Sequence, residues 1–189
     1  MQRAAVANHP HVLHAVAGPW LARRWYYTAR SHRPYSVRQI SPGDRRLLAE
    51  FALALNQSSP DRERACGRDL GDMLFDRVIA GGSDSSVGFA ALEATAAGDR
   101  VIGVAAYAPA ADEYANFSTA VVSTHREEQV GRILLSTLVR HAKRVGVQRL
   151  VGVMSWSNRP MRMLAMSMGF KVEPAPADRN LRRLVLSLK

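Results

Sequence analysis

The side chains able to do chemistry are sparse in this chain, and their spacing limits what they can do. Cys66 is the single cysteine, so no internal disulfide can close and no cysteine-rich zinc site can form. With no His-containing motif beside it, Cys66 reads as a small packed residue rather than a nucleophile. Thr124-His125-Arg126-Glu127 has the T-x-x-E spacing of a capping box. In such a box Thr124 and Glu127 would satisfy the first backbone N–H groups of the following helix. Met154, Met161, Met163, Met166 and Met168 gather around Trp156. Flexible core filling explains methionines at helical spacing better than a binding surface does. Trp156 suits either the wall of an acceptor pocket or the rim of the core, and Arg182 and Arg183 suit a solvated strand edge.

The positive charge is unevenly placed. Lys+Arg number 26 against 16 Asp+Glu, a formal balance of +10, yet no acidic residue precedes Asp44. Arg3, Arg23, Arg24, Arg30, Arg33, Arg38 and four of the six histidines lie in that stretch, with Trp20, Trp25, Tyr26 and Tyr27 among them. Such composition fits a transit segment or a surface that meets phosphates, but the plainest expectation is that residues 1–34 form a basic, poorly ordered extension. Lysine is confined to Lys143, Lys171 and Lys189. Arginine bias of this kind follows most simply from genome composition, so neither nucleic acid nor an anionic membrane is expected as a partner.

The elements that must position these groups lie in residues 35–189. A chain of 189 residues, 47% hydrophobic and 22% charged, can bury one proper core. The stretch from Val12 to Ala22 is interrupted by His14, Gly18 and Pro19 and is too short to span a bilayer. Tyr35–Ile40 alternates as a strand, and Ser41-Pro42-Gly43-Asp44 carries helix-start residues before Leu47, Leu48, Phe51 and Leu55 at helical spacing. A second amphipathic segment holds Leu70, Met73, Leu74 and Val78. Val87–Thr95 and Val101–Ala108 read as a hairpin around Gly98-Asp99, and Asn116–Val122 as another strand. Val130, Ile133, Leu134, Leu138, Ala142 and Val145 make the strongest helix, closed by Gly146. Val147–Met154 reads as a central strand buried on both faces. Asn158 can cap a last helix with Pro160 in its first turn, and Leu181–Leu188 is an edge or penultimate strand.

Within this order, Leu134-Leu135-Ser136-Thr137-Leu138-Val139-Arg140-His141-Ala142-Lys143-Arg144-Val145-Gly146 is followed by Asn158-Arg159-Pro160-Met161 and Leu164-Ala165-Met166-Ser167-Met168-Gly169-Phe170. That pattern resembles the GNAT superfamily of acyl-CoA-dependent N-acetyltransferases, from Ser36 to about Pro174. It is most similar to the Pat-type protein lysine acetyltransferases, whose opening segment Val37–Asp44 and Leu55–Arg62 also resemble. The resemblance implies an α/β (α+β) fold: a mixed, mostly antiparallel sheet of six to seven strands with helices on both faces. It further implies acetyl-CoA as co-substrate, a primary amine or protein lysine as acceptor, and a cytoplasmic enzyme. A homodimer through edge strands is an open alternative. So is a degenerate domain that binds acyl-CoA, or serves as an interaction or regulatory module, without turnover.

By the same resemblance, the pantetheine arm would lie beside Val121, Val122 and Ser123. The pyrophosphate would sit on the helix start at Arg126, Gln129, Val130, Gly131 and Arg132, where unpaired amides and the helix dipole face it, and Asn158 would approach the same ligand. The family loop [Q/R]-x-x-G-x-G falls on Arg126–Gly131, but its middle glycine is Gln129 and the loop carries Glu127 and Glu128. A carboxylate about 4 Å from a phosphate opposes binding by roughly 1 kcal/mol in water and more at a protein surface. The family's catalytic glutamate falls on Asn116, which accepts no proton at neutral pH. The groups that could act in its place are Glu113, Asp112, a water held by Asn116, or His125. No metal is expected.

Overall fold

The computed structural model describes residues 24–29, 33–58, 86–110, 114–125, 129–176 and 178–188. The second amphipathic segment, Leu70–Val78, lies outside them. The described chain runs β1 (Arg24–Thr28), β2 (Pro34–Gln39), α1 (Arg45–Ser58), β3 (Val87–Thr95), β4 (Gly98–Pro109), β5 (Tyr114–Val121), α2 (Val130–Arg144), β6 (Arg149–Ser155), α3 (Arg159–Ser167), β7 (Lys171–Ala175) and β8 (Asp178–Ser187). The strands form a single sheet in the order β1-β2-β3-β4-β5-β6-β8-β7. Every neighbouring pair is antiparallel except β5 and β6. This is a mixed, largely antiparallel α/β fold, as expected, with eight strands rather than six or seven.

The extra strand is β1, which lies inside the stretch read from sequence as an N-terminal extension. It pairs from Arg24↔Arg38 to Thr28↔Pro34, and the Ala29 N–H closes the turn on Arg33 O at 2.9 Å. Its alternate residues Trp25 and Tyr27 join the core, and Tyr27 stacks on Tyr35 with ring centroids 5.6 Å apart. Basic flanking residues hide this period-2 pattern in the sequence. At the other end, β8 lies between β6 and β7, so it is penultimate and its arginines do not line an edge.

Two apolar clusters hold the helices on opposite faces. On one, Leu48 and Phe51 of α1 bury against Ile40, Ala90, Leu92, Val101 and Val104. On the other, Leu134, Leu135, Leu138 and Ala142 of α2 bury against Val37, Phe89, Ala91, Ile102, Ala105 and Tyr107. Val101 and Val104 share a face because the β3–β4 register shifts between Ala91 and Leu92, a bulge that changes the phase of alternation. Each buried leucine contributes roughly 2 kcal/mol of apolar transfer. Gly103 lets α2 approach the sheet: a Cβ there would lie 2.8 Å from Leu134 Cδ1.

The turn before α1 is fixed by charge. Asp44 accepts from Arg38 Nη1 and Nη2, both at 2.6 Å, and from the Ser41 N–H at 2.8 Å. This two-pronged pair joins β2 to the start of α1.

Candidate active site

The sheet parts at one place. β5 and β6 run parallel and pair only at Tyr114↔Arg149, Ala115↔Leu150 and Asn116↔Val151. Beyond that point β5 stays on β4 as far as Gly103↔Val121, while β6 follows β8 to Ser155↔Leu181. Asn116, half-buried, is therefore the last paired residue at the apex of a widening gap. Phe117 sits at its root: its ring meets Phe170 at 5.2 Å and covers Gly152, where a Cβ would lie 2.6 Å from Phe117 Cε1.

The register fixes which backbone groups line the gap. The Val122 N–H donates to Ile102 O at 3.0 Å, so this is a hydrogen-bonded pair of the β4–β5 ladder. Alternation then turns the N–H and C=O groups of Thr119 and Val121 away from β4, toward the missing β6 partner, one step past Phe117, whose N–H still meets β6 at the last pair Asn116↔Val151. An extended amide-bearing ligand can take the place of that partner. Val121 thus faces the gap, Val122 commits its N–H to β4, and Ser123 begins a single 3-10 turn, Ser123–His125. Thr119 belongs with Val121, although sequence alone did not single it out. The alternation that reveals it needs the register of the pair.

The gap leads to the start of α2. The helix begins at Val130, and its N-cap is Gln129, with φ 64°, ψ 5° and no side-chain cap. The capping box predicted for Thr124 and Glu127 does not serve this helix. Thr124 Oγ1 instead contacts His125 Nδ1 at 2.8 Å, five residues before the helix; Arg126, Glu127 and Glu128 lie outside the described residues. Gln129 is the only non-glycine with positive φ among the described residues. A left-handed bend usually supplied by glycine is thus kept with glutamine. No acidic residue occupies the first turn of α2 itself. Gly131 faces Leu164 Cδ2 and Val121 Cγ2 at 3.5 and 3.6 Å from an ideal Cβ, which places the end of β5 and the first turn of α2 side by side. Arg132 reaches across to α3, its Nη2 donating to Ser167 Oγ at 2.6 Å.

Residues 51–170 match the model of the acetyltransferase (GNAT) family. The chain belongs to that family. The solved GNAT domain of S. lividans PAT superposes with a TM-score of 0.66 at 20% identity, over 87% of this chain and 96% of that one. The ribosomal-protein-S18-alanine N-acetyltransferase of Escherichia coli gives 0.58 at 17%, over 82% and 94%. The ribosomal-protein-S5-alanine acetyltransferase of Vibrio fischeri gives 0.63 at 11%, over 82% and 93%. No curated protein sequence matches the chain.

As a GNAT acyltransferase the chain needs a binding cleft for an acyl-CoA, and the residues present fit one. A strand-shaped gap with free-facing amides ends at a helix start with no carboxylate in its first turn. Asn116 stands at the apex; Glu113 and Asp112 lie outside the described residues. His125 is not at the apex. It is 1% exposed, and Asn116 and Val121 are already about 17 Å apart along β5 at strand rise. Its Nε2 lies 3.6 Å from Glu93 Oε1. Burial acts to raise the Glu93 carboxyl, but the Arg100 guanidinium and then His125 outweigh it and hold it below the usual carboxylate range. His125 therefore belongs to a structural charge cluster.

Asn158 caps α3 as predicted, its Oδ1 accepting from the Met161 N–H at 3.1 Å, which leaves its amide NH2 to a ligand. Trp156 is 49% exposed, lying between the guanidiniums of Arg162 and Arg182 at 4.4 and 4.5 Å. Met154 is core, Met161 and Met168 pack against the core, and Met163 and Met166 face solvent. No described helix is long and apolar enough to cross a membrane, and no cluster of metal-ligating side chains occurs among the described residues.

Proposed function

We propose that this GNAT acyltransferase transfers an acetyl group from acetyl-CoA to a primary amine, with a protein lysine as acceptor. The observation that carries the proposal is the parting of β5 from β6 at Asn116↔Val151, which puts a slot for an extended thioester-bearing arm beside a polar side chain. Bound acetyl-CoA supplies an activated acyl group. Thr119 and Val121 hold the amide-bearing arm by their backbone groups, and the amides from Gln129 to Arg132 take the pyrophosphate. Asn116 positions a water at the apex. An attacking amine must lose a proton, and Asn116 cannot accept it; Glu113, three residues upstream, is the proposed acceptor through that water. The lysine assignment draws support from the similarity to Pat-type sequences and from the PAT domain among the structural neighbours.

A second reading, an acyl-CoA-binding domain without turnover, is favoured by one fact: the apex holds an amide where a base is needed. Calorimetry with acetyl-CoA and an assay of CoA release with a lysine peptide separate the two. The transferase reading expects binding and release, with Glu113→Gln lowering kcat/KM about 100-fold. Binding without release in the native chain, with release appearing in Asn116→Glu, would establish the second reading. No heat and no thermal shift at millimolar acetyl-CoA would overturn both.

A further inference from the structure

A second cleft lies at the other end of α2, against the β1–β3 side of the sheet. Its volume is about 100 Å³, and Trp25, Gln39 and Phe89 form its sheet side, while Thr137, Arg140, His141 and Arg144 form its helix side. These four helix residues fall at i, i+3, i+4 and i+7, one stripe of α2. Among the described residues, no carboxylate lines the cleft.

The lining is built rather than incidental. The Tyr107 hydroxyl and His141 Nδ1 are 3.0 Å apart, and the His141 ring meets Phe89 edge-on at 5.5 Å. Burial pushes Tyr107 up to about 12; burial, and then Arg144, lower His141. Both are therefore neutral at pH 7, and with Nδ1 engaged the imidazole offers a ligand its Nε2. Thr137 is 5% exposed, and its hydroxyl pairs with that of Tyr27, which ties this wall of the cleft to β1. Arg140 approaches the Tyr27 hydroxyl as well, so its guanidinium is held at the rim.

An aromatic floor under a cationic rim selects a ligand that is apolar and planar at one end and anionic at the other. The volume sets its size. A closed cavity of about 150 Å³ takes a benzene ring; this smaller, open cleft admits no more than one ring, inserted in part with its anionic group at the mouth, and excludes a nucleotide. We propose that this cleft is a second ligand site, separate from the acyl-CoA slot, for a small aromatic carboxylate. The carboxylate meets Arg140 and Arg144, and the ring lies among Trp25, Phe89 and His141. The two sites use opposite ends of α2, Gly131 and Arg140 being about 14 Å apart along the helix axis, so the assignment stands whether or not acetyl-CoA is turned over.

The test uses the full chain with benzoate, its neutral isostere benzamide, and inorganic phosphate, read by calorimetry and by tryptophan fluorescence. Benzoate is expected to bind and to perturb the fluorescence of Trp25, with the perturbation lost in Trp25→Phe. Benzamide should bind at least 10-fold more weakly, and phosphate should leave the fluorescence unchanged. Arg144→Gln, at an exposed position, should weaken benzoate at least 10-fold while leaving acetyl-CoA binding unchanged; Arg140→Gln should do the same if it folds. No benzoate binding at millimolar concentration would overturn the proposal. Equal affinity for benzamide, or full benzoate affinity in Arg144→Gln, would also overturn it.

Discussion

Gln129 is where a single residue says most about the site. Its φ of 64° costs a side-chain-bearing residue roughly 1 kcal/mol relative to glycine, so the fold maintains the bend before α2 against a local penalty. Gln129→Gly is expected to raise stability by up to about 1 kcal/mol and to tighten acetyl-CoA binding, by thermal melting and calorimetry; unchanged binding would separate the bend from the ligand. Asp44 is the complementary case, a charge used for structure. The Arg38 guanidinium, then the Ser41 amide, outweigh burial and hold its carboxyl below the usual carboxylate range. Because the folded value is depressed, the unfolded chain takes up the proton first. The pair's contribution is therefore present above pH 4 or so and fades as pH falls through the folded value. Asp44→Asn should cost about 2 kcal/mol at pH 7 and flatten the loss of stability below pH 4, measured by urea unfolding across pH.

At the scale of elements, the root of the parting between β5 and β6 is filled by Phe117, packed on Gly152 and Phe170. Phe117 covers Gly152 so closely that Gly152→Ala places a Cβ 2.6 Å from its ring. Overpacking of this kind costs about 1–3 kcal/mol, and Phe117→Leu in the same chain should recover part of that loss. Equal stability of Gly152→Ala and the native chain would show that the ring has room to move. The elements themselves were legible to different degrees. α2 was plain because Leu134, Leu138 and Ala142 recur on one stripe and Gly146, at φ 84°, ends it where a glycine should. The β3–β4 hairpin was plain because Gly98 supplies the positive φ of its turn. β1 was hidden, since Trp25 and Tyr27 alternate within a run dominated by arginine. The T-x-x-E box misled for a different reason: a local pattern can satisfy a helix only if the helix starts there, and α2 starts at Val130, beyond a bend that no pattern in the sequence announces.

For the molecule as a whole, the family pattern directs attention to the end of β5 and the start of α2, which the fold brings side by side. It could not show which groups face the ligand. Which of Val121 and Val122 turns its N–H to the gap depends on a hydrogen bond to Ile102, a contact between residues 20 apart in sequence. Asn116's place at the apex depends on parallel pairing with β6, which the chain reaches only after α2. Non-local pairings of this sort leave no local signature. The formal charge of +10 adds a field that favours anionic ligands at either end of α2 without choosing among them.

The most direct measurement of the central claim is an amide-resolved NMR titration of the full chain with acetyl-CoA. The largest shifts are expected at Thr119, Val121, Val130, Gly131 and Arg132, with Val122 moving less because its N–H already serves β4. Saturating ligand with these five amides unmoved, or with the shifts gathered elsewhere, would contradict the slot described for this family member.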